Sequence, residues 1–264
     1  MLQPRDIGQK IQNDQEDQSL GDKVEEGAQG LVEEAREEIA SAHRPWYHIA
    51  HWGRILLIFY GVVFVLFGLL GWWVHVHPVL SIDVTITREF QENQTPWLKF
   101  LMEAVSYQGY HLWMAIGLIL LAAIVFWLVD LRLEAVTVIA SAVVSALING
   151  LVKIIVDRPR PNSHLVEIIQ GAGGPSFPSG HVMSYVAYWG LLFTFGIILF
   201  RGARWWRIAL IAISALIVIL VGPSRIYLGD HWASDVLGAY MIGGALLGIT
   251  LWVYLQLKER GALA

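Results

Sequence analysis

Three polar clusters interrupt an otherwise apolar sequence, and their residue types are those that bind and cleave a phosphate ester. The first cluster reads KIIVDRPRP at residues 153–161, the second reads PSGH at residues 178–181, and the third reads SRIYLGDHWASD at residues 224–235. Each cluster adjoins a long apolar segment. Apolar helices must therefore bring the three clusters together if they form one site.

Three cations in these clusters favour an anionic ligand. Lys153, Arg160 and Arg225 lie near segment ends with too few nearby acids to neutralise them. Charges left unpaired near a membrane edge cost several kcal/mol. A phosphate dianion would pair with them, and arginine suits it because its guanidinium can donate two parallel hydrogen bonds.

The second cluster adds neutral donors to the same anion. Ser179 and Gly180 open the fourth apolar segment. The start of a helix offers free N–H groups and the positive end of the helix dipole, which together attract anions. Gly180 lets the backbone approach the ligand closely.

Two histidines supply the reactive groups. His231 and Asp235 are four residues apart and share a face if the sixth helix begins there. A carboxylate on one ring nitrogen fixes the tautomer and leaves the other nitrogen free as a nucleophile. His181, in another cluster, can protonate the leaving oxygen. This pattern indicates phosphoryl transfer through a phosphohistidine.

The elements that must position these residues are predicted to cross a membrane. The chain has 264 residues, of which 56% are hydrophobic, with a mean hydropathy of +0.54. Each apolar segment is close to the roughly 20 residues that span a hydrocarbon core, where the backbone must be helical. The predicted fold is all-α, a bundle of six transmembrane helices. The predicted spans are Ile55–Val76, Leu112–Val129, Ala135–Val156, Val182–Phe200, Trp205–Gly222 and Ala233–Leu255.

A polar tail precedes the bundle. Residues 1–42 hold eleven acidic side chains against four basic ones, whereas the rest of the chain holds fourteen basic and eleven acidic ones. Such a segment buries too little apolar surface to offset its ordering entropy. We therefore divide the chain into a partly disordered acidic tail, residues 1–42, and a membrane domain, residues 43–264. The chain has no cysteine, which excludes disulfides, thiolate catalysis and cysteine-ligated zinc.

The short basic loops predict the orientation. Arginines and lysines before the first span, after the second, after the fourth and after the sixth all fall on one side, which should be cytoplasmic. Both termini are then cytoplasmic, and the polar clusters lie on the extracytoplasmic side of a cell membrane. Arg158 and Arg160 break the charge rule there, which suggests a task for them. In the outer segment 81–110, Trp97–Val105 is predicted to form a short interfacial helix.

The order KxxxxxxRP, PSGH and SRxxxxxHxxxD resembles the signature of the type 2 phosphatidic acid phosphatase superfamily, and the long apolar spans resemble its membrane branch. The resemblance covers about residues 55–256, and every motif position is present. It implies that His231 is the nucleophile, Asp235 its orienting partner and His181 the general acid. It further implies that the phosphate oxygens are held by Lys153, Arg160, Ser179, Gly180 and Arg225.

The same resemblance implies a lipid phosphatase that needs no metal or cofactor. Its expected substrates are lipid phosphate monoesters or diphosphates of the phosphatidic acid, phosphatidylglycerol phosphate or undecaprenyl pyrophosphate type. Its expected partners are this substrate and membrane lipids, without nucleic acid. Arg158 and Asp230 lie outside the signature, so their roles stay open.

Three other functions fit the same motifs less well. A phosphotransferase would pass the phosphoryl group to an acceptor other than water. A lipid phosphate binder or transporter would need only the cations, so the intact His181, His231 and Asp235 argue against it. A haloperoxidase is disfavoured, because the relatives with that activity are soluble.

Overall fold

The computed structural model describes residues 53–200, 202 and 204–262, and no strand occurs among them. The predicted tail, residues 1–42, and the domain boundary after it lie outside the described residues. The all-α prediction is confirmed. The helices are α1 (Gly53–Val76), α2 (Ser81–Gln91), α3 (Pro96–Tyr110), α4 (Leu112–Leu128), α5 (Arg132–Val156), α6 (Gly180–Ile198), α7 (Trp205–Tyr227) and α8 (Ala233–Glu259).

Five of the described helices are candidate membrane spans, and a bent pair of helices adds a sixth. α1, α5, α6, α7 and α8 are each long and apolar enough to cross a membrane. α4 has 17 residues, which at a rise of 1.5 Å per residue gives about 26 Å, close to the hydrocarbon thickness of about 30 Å. It meets α3 at a bend of 74°. α4, the second span in chain order, is therefore a short helix, and α3 before it turns away from its axis.

The outward faces of the long helices are apolar. On α5, Leu147 is 68% exposed and Ile154 is 78% exposed, and on α7, Ile219 is 64% exposed. Aliphatic surface on this scale is unfavourable in water, and its natural solvent is lipid. The bundle is a multi-pass membrane domain.

A buried apolar cluster lies beside the polar motifs. Phe177, Val182, Met183 and Val236 are each at most 5% exposed, and they pack together with parts of α1 and α7. Because Phe177 and Val182 flank PSGH and Val236 follows Asp235, their burial fixes the backbone on either side of these motif residues.

The outer segment is more ordered than its pattern suggested. The predicted helix Trp97–Val105 is confirmed as part of the longer α3, whereas α2 was not predicted. α3 docks on α7 through Ser224, whose hydroxyl donates to the carbonyl of Met102 at 2.7 Å and lies 2.5 Å from the Ser106 hydroxyl. Ser224 therefore joins α3 to the helix that carries Arg225.

The fifth span does not end at Gly222 as predicted. α7 continues through Pro223 to Tyr227, which places Arg225 in its last turn. Proline interrupts the helical hydrogen-bond ladder, and here the Tyr240 hydroxyl enters the gap. It accepts from the Gly222 N–H at 3.1 Å and donates to the Val218 carbonyl at 2.6 Å.

Candidate active site

The first cluster leaves α5 through a sharp turn. Asp157 follows α5 with φ +42°, in the left-handed region, and the chain then turns into the segment that carries Arg160. Lys153, in the last turn of α5, donates to the carbonyl of Pro175, and Arg160 donates to the carbonyl of Gly174 at 3.0 Å. The two cations are thereby tied to the loop that leads into PSGH.

Asp230 lies between two of the predicted phosphate ligands. Its carboxylate accepts from Arg160 at 2.9 Å and from Arg225, and its own side chain is 1% exposed. The expectation that these arginines lack acids is therefore wrong for Arg160 and Arg225. Both guanidiniums are held by the one carboxylate, which fixes their separation.

The backbone at Asp230 depends on its neighbour. Gly229 has φ +71°, and a Cβ there would lie 2.1 Å from the carbonyl oxygen of Glu167. The long loop that joins α5 to α6 thus packs directly on the third cluster, where the Gln91 side chain donates to the same carbonyl at 2.8 Å. Only glycine fits both the space and the backbone angle.

PSGH forms the start of α6, as expected. Ser179 precedes the helix, is fully buried, and donates its N–H to the carbonyl of Asp235 at 3.2 Å. This bond joins the second cluster to the third. A Cβ on Gly180 would lie 3.1 Å from the Asn149 side-chain oxygen, so a larger residue would press on α5.

His181 is held by a residue that the sequence did not single out. A Cβ on Gly109 of α3 would lie 2.3 Å from Cδ2 of His181, so the bare backbone of Gly109 packs against the imidazole ring. The N–H of Gly109 donates to the Tyr185 hydroxyl at 3.1 Å, which in turn donates to the Val105 carbonyl at 2.7 Å. No motif signals this contact, because one glycine among many carries no pattern.

His231 and Asp235 face each other, but not on one helix. α8 begins at Ala233, so His231 precedes it and Asp235 occupies its first turn. Nδ1 of His231 lies 3.5 Å from the Asp235 carboxylate, which also accepts from the N–H of Trp232 at 2.9 Å and from the Ser176 hydroxyl. The carboxylate reaches back from the helix to the preceding loop, so the expected shared helical face is wrong while the pairing holds.

The other ring nitrogen of His231 points to the cations. Nε2 lies 3.2 Å from a guanidinium nitrogen of Arg160, which can only donate, so Nε2 is the acceptor. Burial lowers the pKa of His231 to about 3, opposed by Asp235 and reinforced by Arg160 and Arg225. The ring is therefore neutral at physiological pH, with Nδ1 protonated toward Asp235 and a lone pair on Nε2.

Arg158 is not an interfacial anchor. Its side chain is buried between two carboxylates, at 2.6 Å from Asp235 and 2.7 Å from Asp83 of α2. Asp83 was not predicted, since α2 itself was not predicted. Asp235 thus partners Arg158 and His231 rather than Arg225.

Several polar atoms of the site lack a partner. Within the described residues, six buried side-chain atoms have no hydrogen bond. Three of them are Ser179 Oγ, His181 Nε2 and Arg225 Nε. An unsatisfied buried polar atom costs roughly 1–3 kcal/mol. Their concentration on predicted phosphate-site residues indicates a site built for an oxygen-rich ligand.

Three side chains of the site have the spacing of metal ligands, but their surroundings are positively charged. Ligand atoms of His181, Asp230 and His231 lie within 4.8 Å of one another. Asp230 is already paired with two arginines, and His181 lies within electrostatic reach of Lys153. A cation would face three fixed positive charges, whereas an anion would be attracted by them.

Comparison with known proteins points the same way. A family model described as the PAP2 superfamily matches residues 134–259, which contain all three motifs. Phosphatidylglycerophosphatase B of Bacillus subtilis is 25% identical over 181 residues, which are 69% of this chain and 87% of that protein. The putative undecaprenyl-diphosphatase YbjG of Escherichia coli is 30% identical over 139 residues, which are 50% of this chain and 65% of that protein.

A solved structure shares the fold. The crystal structure of a transmembrane PAP2-type phosphatidylglycerolphosphate phosphatase from Bacillus subtilis superimposes with a TM-score of 0.63 at 25% identity. The match covers 74% of this chain and 94% of that one. The helical bundle is therefore a shared architecture.

Proposed function

We propose that this chain, whose residues 134–259 match the PAP2 superfamily model, is an integral membrane phosphatase that hydrolyses lipid phosphate monoesters or diphosphates through a phosphohistidine. The observation that carries this proposal is the cluster of unpartnered donors among fixed cations at the start of α6. Phosphate oxygens would satisfy Ser179 Oγ, His181 Nε2 and Arg225 Nε together. Arg160 and Arg225 share the one carboxylate of Asp230, and Lys153 adds a further positive charge, so a neutral ligand would leave the excess positive charge of the pocket uncompensated.

In the proposed binding step, the phosphate enters between Arg160, Arg225 and Lys153. Asp230 presets the two guanidiniums, so little rotamer entropy is lost when they close on the anion. The N–H groups at the start of α6 and the Ser179 hydroxyl add neutral donors to the equatorial oxygens. Charge that spreads onto these oxygens in the transition state is stabilised by the same groups.

In the proposed chemical step, Nε2 of His231 attacks phosphorus and forms an N–P bond. The P–O bond to the lipid breaks, and His181 gives its proton to the departing oxygen. Asp235 stabilises the positive charge that develops on the His231 ring. Water then attacks the phosphohistidine, its proton passes to His181, and inorganic phosphate leaves with His231 restored.

An apolar groove beside the site favours a lipid substrate. It has a volume of about 470 Å³, lies between α4 and α5, and reaches Gly180 and Ser184 at the start of α6. Its walls include Leu112 and Val143, which are 67% and 50% exposed on the outer face of the bundle. A lipid tail placed there would keep its contact with the membrane while its headgroup meets the cations.

The proposed orientation puts this chemistry on the extracytoplasmic side, with both termini in the cytoplasm. Support comes from the basic short loops around Arg132 and Arg204 and from Lys258 near the end of α8, all on the side opposite the site.

The function is tested by phosphate release from a panel of detergent-solubilised lipid phosphates and diphosphates, with a chelator present. We expect release from at least one lipid, loss of release in His231→Ala, and normal release in His77→Ala, an exposed histidine on the same side. Strict dependence on added metal, or full activity of His231→Ala, would overturn the proposal. Product analysis with an acceptor alcohol separates hydrolysis from phosphotransfer.

A further inference from the structure

A buried charge chain continues from the candidate nucleophile to the outer helix α2. The Arg158 guanidinium donates to Asp235 at 2.6 Å, to Ser234 Oγ at 2.7 Å and to Asp83 at 2.7 Å, and its Nε donates to the carbonyl of Pro78 at 2.9 Å. Its side chain is 0% exposed. Each of the three guanidinium nitrogens therefore donates a hydrogen bond to another group of the protein.

Asp83 is built into the start of α8 as firmly as into α2. One carboxylate oxygen accepts from the N–H of Ser234 at 2.9 Å and the other from its hydroxyl at 2.6 Å. The side chain of Asp83 is 1% exposed. It lies outside residues 134–259, so the match to the family says nothing about it.

The charged groups of this cluster alternate in sign from α2 to His231. Asp83 and Asp235 carry two negative charges, and Arg158 carries one positive charge between them. With a neutral His231 the cluster keeps one uncompensated negative charge, which attracts a positive ring on His231. Without the charge of Asp83, Arg158 alone would cancel Asp235. A cationic His231 would then face only Asp230, which lies 3.9 Å from Nε2 and is already shared by two arginines, in a site shielded from water.

We propose that Asp83 is a positioning residue of the reaction: it engages Arg158, so that Asp235 keeps its negative charge and its orientation toward His231. The inference rests on the proposed function, because it acts through the ring that would receive the phosphoryl group. In the part of the chain that the structure describes, the Asp83 carboxylate bonds Arg158 and Ser234 rather than Lys153, Arg160 or Arg225, so it lies outside the proposed phosphate pocket.

The first test is the steady-state kinetics of Asp83→Asn, with Glu89→Gln as the control, since Glu89 is an exposed acid on the same helix. We expect kcat to fall by about 10- to 100-fold, by analogy with the loss seen when the carboxylate behind a metal-bound histidine is removed. KM should stay within about twofold, because the phosphate contacts are intact. Glu89→Gln should match the wild type. A merely structural role would lower the amount of folded protein and leave kcat per folded molecule unchanged.

The second test repeats the substitution in an Arg158→Gln background. If Asp83 acts through Arg158, the loss caused by Asp83→Asn should vanish or reverse there, since no cation remains to be balanced. An equal loss in both backgrounds would overturn the inference. If Asp83→Asn alone fails to fold, the double variant, which lacks both buried charges, is compared with Arg158→Gln, and a further large loss of kcat contradicts the inference.

The two proposals fail in different ways. Absence of phosphate release from the wild type, or its survival in His231→Ala, contradicts the proposed function. An active wild type with an Asp83→Asn rate equal to that of Glu89→Gln contradicts only the role of Asp83.

Discussion

At the scale of single residues, the site separates two tasks between two aspartates that flank one histidine. Asp230 pairs with Arg160 and Arg225 and so shapes the anion pocket. Asp235 faces the opposite nitrogen of His231 and pairs with Arg158. Asp230 and Asp235 pair with different arginines. Phosphate binding at Arg160 and Arg225 therefore leaves the ion pair between Asp235 and Arg158 intact.

The protonation of His231 can be measured directly. Burial disfavours the charged ring and lowers its pKa to about 3, so the ring should stay neutral between pH 8 and pH 5. The nitrogen chemical shifts of His231, assigned by their loss in His231→Gln, should be flat over that range in ¹⁵N-histidine NMR spectra. The folded state should lose stability from this group only as the pH falls below the ordinary histidine value of about 6.5. A titration midpoint near 6.5 would contradict the burial argument.

A second residue-scale expectation concerns Gly109. An alanine methyl there would lie 2.3 Å from the His181 ring, which must move. We expect Gly109→Ala to lower kcat on the order of 100-fold, since a displacement of about 1 Å of a catalytic group has that effect. Gly117→Ala is the control, because a Cβ at Gly117 meets no atom within 4 Å. Equal rates for the two variants would show that α3 does not position His181.

At the scale of elements, the decisive feature is how α7 ends. Its continuation past Pro223 puts Arg225 on a helix rather than a loop, facing Asp230. The Tyr240 hydroxyl of α8 repairs the ladder at that point, with bonds to Gly222 and Val218. The packing of α8 on α7 thereby sets the position of a predicted phosphate ligand.

Tyr240→Phe tests this arrangement. Loss of the hydroxyl leaves the Gly222 N–H and the Val218 carbonyl without this partner, at a cost of roughly 1–3 kcal/mol. We expect a lower unfolding temperature in detergent and a higher KM through a displaced Arg225. Tyr107→Phe, at a ring that is 54% exposed, should leave both unchanged. A Tyr240→Phe protein as stable as the wild type would contradict the repair.

The sequence predicted most of these helices and the three polar segments that the fold brings together, because hydropathy and motif spacing are local signals. It did not predict α2, whose eleven residues are polar on average and whose buried side chains, Asp83, Thr87 and Gln91, are all polar. It ended the fifth span at Gly222, before Pro223. The hydrogen bonds that let α7 continue come from Tyr240, which lies seventeen residues after Pro223 in the chain. The partners of Asp230 and Arg158 could not be predicted, because pairing among several buried charges depends on tertiary geometry.

At the scale of the whole molecule, the bundle places a polar pocket at one end of an apolar body. The groove between α4 and α5 opens on the lipid-facing side and leads to the start of α6. The long loop between α5 and α6 is covered by α2, with Gln91 bonded to both Glu167 and Tyr227. A substrate that stays in the membrane fits this shape, because its headgroup alone enters the polar end.

The orientation can be tested with single cysteines, since the chain contains none. Glu92→Cys lies beside the site and Glu259→Cys at the far end of α8, and both positions are exposed. In intact spheroplasts of a bacterial host, a membrane-impermeant maleimide should label Glu92→Cys only. Glu259→Cys should react after permeabilisation. The reverse pattern would place the site in the cytoplasm.

Trapping the covalent intermediate tests most directly whether the phosphoryl group passes through His231. A lipid substrate labelled with ³²P in the cleaved phosphate is mixed with the purified protein and quenched within milliseconds in alkali, which preserves phosphohistidine. We expect label on the protein that is stable in base, labile in acid and located on His231, with none in His231→Ala and none on His181. Substrate hydrolysis without any label on His231, under conditions where the quench is faster than turnover, would contradict it.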